Sequence, residues 1–341
     1  PLPHQSSPTR KGASMARKKI RLGLIGCGGN MRGAHLPRLS ADGAAEVVAV
    51  ADPVRKQADS LMERLGDQVL YYDDYRKLIR QDGLDGVVIS TPHDQHTSQV
   101  RTALNAGLHV LVEKPLTISS RHSKALIDLA RRKRRMLVVA YQRHFLPEYV
   151  YARELVRRGE LGRIRGLVGY VSQNWGAMGG WRVDPEQSGG GMFMDTGSHL
   201  VASSLWVTGL RASEVSAYMD NARKPVDINA VVNVRFDNGA LGTLNTFGDS
   251  SRHDERLAIH GSKGCIVIRQ HQWRVKSMLV NDEPAKIPAR IQPDTPDAAF
   301  LRWVRNGGKG YEPSDFALQV SRVSEAAYQS LAKRRPVKVR R

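Results

Sequence analysis

Cysteine, aromatic residues and long apolar runs are all scarce in this sequence. The 341 residues include two cysteines, Cys27 and Cys265, and 6% aromatic residues. Two cysteines cannot build a disulfide framework or a zinc knuckle, and they fit a reducing compartment, for which we expect the cytoplasm. No apolar run reaches the roughly 18 residues of a transmembrane helix. The first apolar run, Ile20–Ile25, leads into glycines rather than a signal-peptide cleavage site.

Acidic residues are scarce relative to basic ones. The chain has 52 Lys and Arg against 33 Asp and Glu, a formal net charge of +19. The residues before Ile20, the run Arg131–Arg135 and the end Lys333–Arg341 contribute +5, +5 and +6, which is 16 of the 19. Basic chain ends and a basic helix end are ordinarily solvated. We therefore expect no nucleic-acid partner, although a basic nucleic-acid groove is the alternative interpretation.

The length predicts two domains at about 150 residues each. Residues 1–14 are polar and rich in Pro and Ser, and we expect a disordered leader or a cloning remnant there. Short β-rich runs alternate with helical segments up to residue 140, which predicts a parallel sheet covered by helices over 15–142.

The pattern changes over residues 143–341. Strands follow one another there, and turns at Asp237–Gly239 and Gly261–Gly264 predict antiparallel hairpins. The predicted fold class is α/β: an N-terminal doubly wound sheet followed by an α+β domain with an open, mostly antiparallel sheet.

A glycine-rich loop follows the first predicted strand. Gly26, Gly28 and Gly29 are followed by Asn30 and Met31, where a helix is predicted to begin. Glycines at such a turn let backbone N–H groups approach the pyrophosphate of a dinucleotide at the helix N-terminus. Because Met31 occupies the third glycine position of the usual fingerprint, a generic strand-turn-helix unit remains possible.

An acidic residue ends the second predicted strand. Asp52 lies 26 residues after Gly26, near the spacing expected for a carboxylate that binds both hydroxyls of the adenosine ribose. Such a carboxylate repels a 2′-phosphate, so NAD is favoured over NADP, with Arg55 moderating the preference. The alternative is that Asp52 only caps the next helix.

A lysine follows a glutamate at the end of a later strand. Ligands of open α/β sheets bind beyond the carboxyl ends of the strands. From there Lys114 can reach a substrate hydroxyl and Glu113 the cofactor ribose. The alternative is a solvated charge pair before the turn at Pro115.

Three glycines precede an Asp/His pair. Asp195 and His199 have a helical i,i+4 spacing, and Gly189–Gly191 would let the loop approach the nicotinamide. A histidine can take the proton of an alcohol while a carboxylate orients and charges it. No third ligand of suitable spacing follows, so we expect no metal.

These segments, in this order, make the chain resemble the Gfo/Idh/MocA oxidoreductases, the glucose-fructose oxidoreductase and inositol dehydrogenase family, from Ile20 to about Val337. The segments that carry the resemblance are Gly23–Gly29, Ser90–Pro92 with His96, Glu113–Pro115, Tyr141–Phe145, Gly179–Arg182, and Gly189–Gly191 with Asp195 and His199. The resemblance implies a Rossmann domain and a second domain whose open sheet mediates homodimers or homotetramers. It also implies the catalytic set Lys114, Asp195 and His199.

Two sets of contacts complete the expected site. The expected NAD contacts are Gly26, Gly28, Gly29, Asn30, Met31, Asp52, Ser90, Thr91, Pro92, His96, Glu113, Lys114 and Gln142. The expected substrate contacts are Lys114, Arg143, Trp175, Trp181, Arg182, Asp195 and His199. An indole can stack on a sugar ring, although core packing is the alternative for the tryptophans. Ala202 and His93 stand where the family often has Asp and Asn, which cautions against transferring a substrate.

We therefore expect an NAD-dependent oxidoreductase that moves hydride between nicotinamide and a secondary hydroxyl of a sugar, cyclitol or glycoside. An NAD-dependent glycosidase, which oxidises its substrate transiently before elimination, is the nearest alternative. A non-catalytic NAD-responsive regulator is a further one. No membrane partner is expected.

Overall fold

The computed structural model describes residues 19–41 and 43–340. The predicted leader, residues 1–14, lies outside the described residues. No helix among the described residues is long and apolar enough to cross a membrane.

The first sheet has six parallel strands. They are β1 (Ile20–Ile25), β2 (Ala45–Ala51), β3 (Leu70–Tyr72), β4 (Gly86–Ile89), β5 (His109–Val112) and β6 (Leu137–Val139). Their order in the sheet is β3-β2-β1-β4-β5-β6. The direction of winding reverses between β1 and β4, which confirms the predicted doubly wound sheet and places its ligand crevice at that point.

Helices cover both faces of the first sheet. A π-helical segment, Met31–His35, leads into α1 (Leu36–Ala41), and the helices that follow are α2 (Arg55–Met62), α3 (Tyr75–Ile79), α4 (His93–Asn105) and α5 (Ser120–Lys133). Because both faces are covered, the central strand β4 is apolar and buried along its whole length. A widened π turn is common near functional sites, and this one ends at the buried His35.

The second sheet has nine strands. They are β7 (Ile164–Asn174), β8 (Ala212–Asp220), β9 (Asn229–Phe236), β10 (Leu241–Phe247), β11 (Asp249–Gly261), β12 (Cys265–His271), β13 (Arg274–Val280), β14 (Glu283–Pro284) and β15 (Val337–Lys338). Their order is β14-β13-β12-β11-β7-β10-β9-β8-β15, with β7 and β10 parallel and the other neighbours antiparallel. The two predicted hairpin turns join β9 to β10 and β11 to β12.

One face of the second sheet packs on helices and the other is open. The helices of this half are α6 (Pro147–Arg157), α7 (Pro185–Ser188), α8 (Met192–Asp195), α9 (Gly197–Thr208), α10 (Pro296–Arg305) and α11 (Asp315–Lys333). Alternate residues of β9 are buried and solvent-facing, as expected for a strand with one wet face. The exposed apolar side chains of the open face are Val168, Tyr218, Val231, Leu241 and Phe247.

Helix α10 returns to the first sheet. Phe300 and Leu301 are fully buried in one cluster with Leu22 and Leu24 of β1. The predicted second domain, 143–341, therefore contains a helix that completes the core of the first one. The return also carries Asp297 toward the strand ends of the first sheet.

The structure corrects several element predictions. The i,i+4 spacing of Asp195 and His199 predicts one helix, but the two residues lie in two helices, α8 and α9, separated at Thr196. The short strand β3 and the strand β13 were not predicted. Strand β3 has only 3 residues, and strand β13 carries exposed polar residues in its first half, so the apolar alternation of both is weak.

Candidate active site

Five of the predicted site residues follow strands of the first sheet. Gly26, Asp52, Ser90, Glu113 and Gln142 come after β1, β2, β4, β5 and β6 respectively. Parallel strands end at the same edge, so the fold brings these residues to one side of the sheet. The edge includes the switch point between β1 and β4.

The glycines of the first loop serve two different purposes. Gly26 has φ +84°, and a Cβ there would lie 2.5 Å from the carbonyl oxygen of Ser90. A Cβ on Gly28 or Gly29 would meet nothing within 4 Å. Gly26 is thus required by the packing of the chain itself, whereas Gly28 and Gly29 leave the start of the helix open to a ligand.

Asp52 joins the glycine loop to the start of α2. Its carboxylate accepts hydrogen bonds from Cys27 N and Val54 N, each at 2.8 Å. Asp52 therefore lies beside the glycine loop and also contacts the start of α2, so its hydrogen bonds are compatible with both interpretations of this residue. Arg55 Nε lies 2.6 Å from Asp59 Oδ1 and its guanidinium covers the Tyr71 ring, so this cation is already engaged.

The predicted contacts after β4 form a polar rim. Asn30 Nδ2 donates to Ser90 Oγ at 3.2 Å, and Thr91 Oγ1 donates to Gln99 at 2.6 Å. Pro92 immediately precedes α4. Asn30 and Ser90 therefore connect the glycine loop to the strand on the other side of the switch point.

Met31 and His96, two of the predicted NAD contacts, have buried side chains. The Met31 side chain is fully buried in the core around β1. The buried His96 ring places Nδ1 2.9 Å from the Pro115 carbonyl oxygen and Nε2 3.1 Å from the Thr91 carbonyl oxygen. Both ring nitrogens thus contact backbone oxygens, and His96 connects the loop after β4 to the loop after β5.

Glu113 belongs to a buried chain of charges that the sequence did not reveal. Its Oε1 lies 3.1 Å from His35 Nε2, and His35 Nδ1 lies 2.6 Å from Asp297 Oδ1 on α10. Burial opposes protonation of His35, but the two carboxylates outweigh it and raise its pKa to about 9. Burial likewise opposes ionisation of Glu113, yet His35 and Lys114 lower its pKa to about 2. His35 is an imidazolium held between two carboxylates.

Gln142 completes the surroundings of Glu113. Its Nε2 lies 3.4 Å from Glu113 Oε1. Its Oε1 is buried and has no hydrogen-bond partner within the described residues. An unpaired buried acceptor is costly, so a ligand that donates a hydrogen bond there would stabilise the site.

Lys114 and Asp195 form the central ion pair of the site. Lys114 Nζ bonds to Asp195 Oδ1 and also lies 3.3 Å from the Asp195 backbone oxygen. Trp175 Nε1 donates to Asp195 Oδ2 at 3.0 Å, and Arg182 Nε lies 3.4 Å from the same oxygen. Burial opposes ionisation of Asp195, but Lys114, His93 and Arg182 keep its pKa well below the usual range. The carboxylate is thus fixed on both oxygens.

Trp175 is therefore not the surface platform that was predicted. Its side chain is fully buried and packs with apolar residues that include Val171, Met192 and Ile228. Core packing, the alternative interpretation, is correct for its ring. Its indole N–H, however, contacts the site through Asp195.

His199 lies in the site without the predicted carboxylate partner. No hydrogen bond joins it to Asp195, because the Asp195 carboxylate is directed to Lys114 and Trp175 instead. His199 Nδ1 is buried and unpaired within the described chain. Burial, Lys114 and Arg143 together lower its pKa well below the usual value of 6.5. His199 is therefore a neutral imidazole at pH 7.

The remaining predicted substrate contacts divide into two groups. Trp181 and Arg182 lie at the rim, with the Arg182 guanidinium 4.5 Å from the Trp181 ring centroid. Arg143 is buried and bonded to Glu255 of β11, so its guanidinium is already neutralised. Arg143 Nε is buried and has no hydrogen-bond partner within the described residues, and the role of Arg143 as a substrate contact stays a prediction.

The three glycines before Asp195 pack against protein rather than opening a loop. A Cβ on Gly191 would lie 1.8 Å from the Asp227 carbonyl oxygen, and one on Gly190 would lie 2.2 Å from the Tyr328 hydroxyl. The buried Asp227 carboxylate accepts hydrogen bonds from Gly191 N at 2.7 Å and Phe193 N at 2.9 Å. Asp227 and the glycines thus fix the start of α8, which ends at Asp195.

The described residues fit an NAD molecule. Gly28 and Gly29 leave the helix start open, Asp52 offers a carboxylate at the ribose position, and Gln142 presents an unpaired acceptor. Residues 19–41 and 43–340 hold no group of three or more His, Cys, Asp or Glu side chains that could bind a metal ion.

Several residues of the site escaped sequence analysis. His35 is the last residue of the π-helical segment that follows the glycine loop. Its partner Asp297 lies 262 positions away in the sequence, and no local signal joins the two residues. His93 Nδ1 donates to the Ser188 backbone oxygen, 2.8 Å away, and its Nε2 lies 3.9 Å from Asp195. Its position at the start of a helix after a strand could have marked it, because such positions face the crevice.

Two family models match the chain. Residues 20–141 match the oxidoreductase family with an NAD-binding Rossmann fold, and residues 149–267 match the GFO/IDH/MocA C-terminal domain. The rhizopine catabolism protein MocA of Rhizobium meliloti is 30% identical over 191 residues, which cover 56% of this chain and 58% of that protein.

Two further proteins extend the comparison. The scyllo-inositol 2-dehydrogenase (NAD(+)) of Bacillus subtilis (strain 168) is 28% identical over 231 residues, or 66% of each chain. The solved structure of a levoglucosan dehydrogenase in complex with NADH and L-sorbose superposes with a TM-score of 0.81 at 22% identity, covering 94% of this chain and 99% of that one. The latter likeness is one of fold.

Proposed function

Because this chain belongs to the GFO/IDH/MocA family of NAD-binding oxidoreductases, we propose that it transfers hydride between NAD and a secondary hydroxyl of a sugar, cyclitol or glycoside. The names of the relatives, an inositol dehydrogenase and a levoglucosan dehydrogenase, support this substrate class. When bound, NAD supplies the hydride acceptor. The contribution of the chain is to orient the alcohol and to move its proton.

We assign the proton transfer to His199. A neutral buried imidazole with an unpaired nitrogen can accept the hydroxyl proton during oxidation and return it during reduction. The Lys114 ammonium stabilises the negative charge that develops on the substrate oxygen. Asp195 holds Lys114 in place through their ion pair.

The single observation that carries this proposal is the Lys114–Asp195 ion pair directly after Glu113 at the carboxyl edge of the first sheet. Glu113 and Gln142 would bind the cofactor ribose there, and Asp52 the adenosine ribose. A solvated charge pair, the alternative for Glu113 and Lys114, does not describe these side chains, because both are mostly buried and bonded within the site.

A substrate panel tests the proposal. Sugars, cyclitols and glycosides are incubated with NAD and, separately, with NADP while the absorbance of the reduced cofactor is followed. We expect reduction with at least one cyclic polyol and a preference for NAD, because Asp52 repels a 2′-phosphate. No reduction with any member of the panel would refute it. Release of an aglycone without accumulation of reduced cofactor would indicate a glycosidase instead.

We further propose that the protein is a cytoplasmic homo-oligomer joined through the open face of the second sheet. Exposed Val231 and Leu241 on neighbouring strands support the interface, and the unpaired Cys27 and Cys265 support a reducing compartment. Val231→Lys would place a charge on this face. A molar mass in light scattering that falls to that of one chain supports the interface, and a wild type that is already monomeric refutes it.

A further inference from the structure

The tip of one hairpin in the second sheet is held rigidly near the site. Strands β12 and β13 pair up to His271 and Arg274, and the turn between them is Gln272 and Trp273. The buried Gln270 donates to the Gln272 backbone oxygen at 2.6 Å and accepts from the Tyr149 hydroxyl at 3.0 Å. The turn therefore rests on a buried polar anchor.

A second hydrogen bond joins the same turn to the neighbouring strand β11. His271 Nδ1 lies 3.0 Å from the His253 backbone oxygen on β11, and the two imidazole rings are 5.1 Å apart. A side chain at the turn is thus presented from a defined position. That side chain is the indole of Trp273.

The Trp273 ring packs edge-to-face against the His199 imidazole. Its side chain is 63% exposed, and its ring centroid lies 5.8 Å from that of His199 at an angle of 76°. His199 itself is only 4% exposed. Single exposed apolar residues are ordinary on protein surfaces, so the position of Trp273 rather than its exposure is informative.

The other tryptophans near the site have no free ring face to offer. Trp175 is fully buried, and Trp181 is covered by Arg182 on its face and by His93 at 4.6 Å. Within the described residues, Trp273 has one ring contact, to His199, and its indole N–H has no hydrogen-bond partner. It thus combines an open apolar face with a free donor.

We propose that Trp273 forms the outer wall of the substrate site and stacks on the C–H face of a six-membered polyol ring. This inference rests on the proposed function and specifies how its substrate is recognised. The ring lies beside the indole, on a part of its face that His199 does not contact, with one hydroxyl directed to the Lys114–His199 pair. The indole N–H donates to another hydroxyl of the ring.

Such a wall selects rings over open chains. A pyranose or cyclitol presents a flat set of C–H groups, whereas an open-chain polyol must be ordered before it can cover the same indole face. Trp273 therefore acts on substrate affinity and on the choice of substrate. Proton transfer remains with His199, and cofactor binding is remote from the hairpin.

The test compares Trp273→Ala and Trp273→Phe with the wild type on a cyclic polyol and an open-chain secondary alcohol. For the cyclic substrate we expect Trp273→Ala to raise KM roughly tenfold, with kcat within about twofold, since aromatic stacking has that magnitude. Trp273→Phe keeps an aromatic face and should recover most of the affinity. The Kd of NADH, measured by fluorescence titration without substrate, should not change.

The outcomes separate this inference from the function on which it rests. Leu331→Ala, which truncates an exposed apolar side chain on α11, is the matched control and should leave KM unchanged. An unchanged KM in Trp273→Ala, or an equal increase for rings and open chains, overturns the inference while the proposed function stands. A wild type that reduces no NAD with any ring overturns both.

Discussion

His35 and His199 are enclosed imidazoles on the two sides of the same strand-end crevice, and they carry different charges. His35, beside Glu113, has two carboxylates within 3.1 Å and a pKa raised to about 9. His199, beside Lys114, has no bonded carboxylate, and burial and nearby cations lower its pKa well below 6.5. Burial alone lowers the pKa of both, so the bonded neighbours decide the charge.

The difference assigns different tasks to the two sides. A permanent imidazolium behind Glu113 holds that carboxylate ionised and oriented, which suits the binding of a ribose diol. A neutral imidazole beside Lys114 can accept a proton, which suits the oxidation of an alcohol. Substitutions on each side should therefore change different quantities.

The largest effect is expected from Lys114→Ala. It removes the charge that stabilises the substrate oxygen and leaves the buried Asp195 carboxylate with hydrogen-bond or cationic partners on Oδ2 alone, Trp175 and Arg182. We expect kcat to fall roughly 10³-fold, with a lower Tm and a Kd of NADH within a few fold of the wild type. Lys124→Ala, which breaks an exposed pair with Asp128, is the control. Near-normal kcat would remove Lys114 from the catalytic set.

His199→Gln should lower kcat roughly 10²-fold, the usual size of general acid–base assistance. Wild-type kcat/KM for oxidation should decline only as the pH falls well below 6.5, because the enclosed imidazole resists protonation. The variant lacks the base and should lose that acidic decline. A pH profile measured from 5 to 8 checks this, and an acidic decline of the same size in the variant would contradict it.

His35→Gln should act on binding and stability rather than on chemistry. With a pKa of about 9 in the folded protein against 6.5 when unfolded, His35 contributes fully below pH 6.5 and its contribution is lost as the pH rises through 9. The contribution is on the order of 3 kcal/mol. The Kd of NADH should rise roughly tenfold as Glu113 loses its donor.

Thermal unfolding at pH 6 and pH 9.5 tests His35→Gln. The gap in Tm between the wild type and the variant should be several degrees at pH 6 and smaller at pH 9.5. His122→Gln, on the exposed surface of α5, should show no gap at either pH. An equal gap at both would mean that His35 is not an imidazolium.

Trp175→Phe should give the smallest effect. It keeps most of the ring packing and removes only the indole donor to Asp195. We expect kcat to fall about two- to fivefold and stability to fall by roughly 1 kcal/mol. Trp303→Phe, whose ring packs near Phe145 and Tyr311, is the control. A loss of NADH affinity in Trp175→Phe would contradict the assignment of separate functions to the two sides of the crevice.

The sequence predicts the cofactor side of the crevice better than the substrate side. Gly26, Asp52 and Glu113 directly follow strands, and a residue after a parallel strand has a known place. The burial of a side chain and its contacts with residues remote in sequence leave no such local signal. Trp175 was therefore predicted to contact the substrate although its side chain is fully buried, and His35 pairs with Asp297, which lies 262 positions further along the chain.

The i,i+4 rule failed at Asp195 and His199 for a related reason. The spacing assumes one continuous helix, whereas Asp195 ends α8, His199 lies in α9, and Lys114 attracts the carboxylate. Local periodicity cannot report competition from a residue on another domain. The contacts of Arg143 with Glu255 and of Gly191 with Asp227 were likewise missed, because those partners are remote in sequence.

The return of α10 to the first sheet bears on how such proteins can be recombined. A gene fragment ending at residue 141 would lack Phe300 and Leu301, which complete the core around β1, and would leave His35 without Asp297. The NAD-binding half is consequently not an exchangeable cassette. Shuffling between relatives would preserve function only if the segment that carries α10 travelled with the first 141 residues.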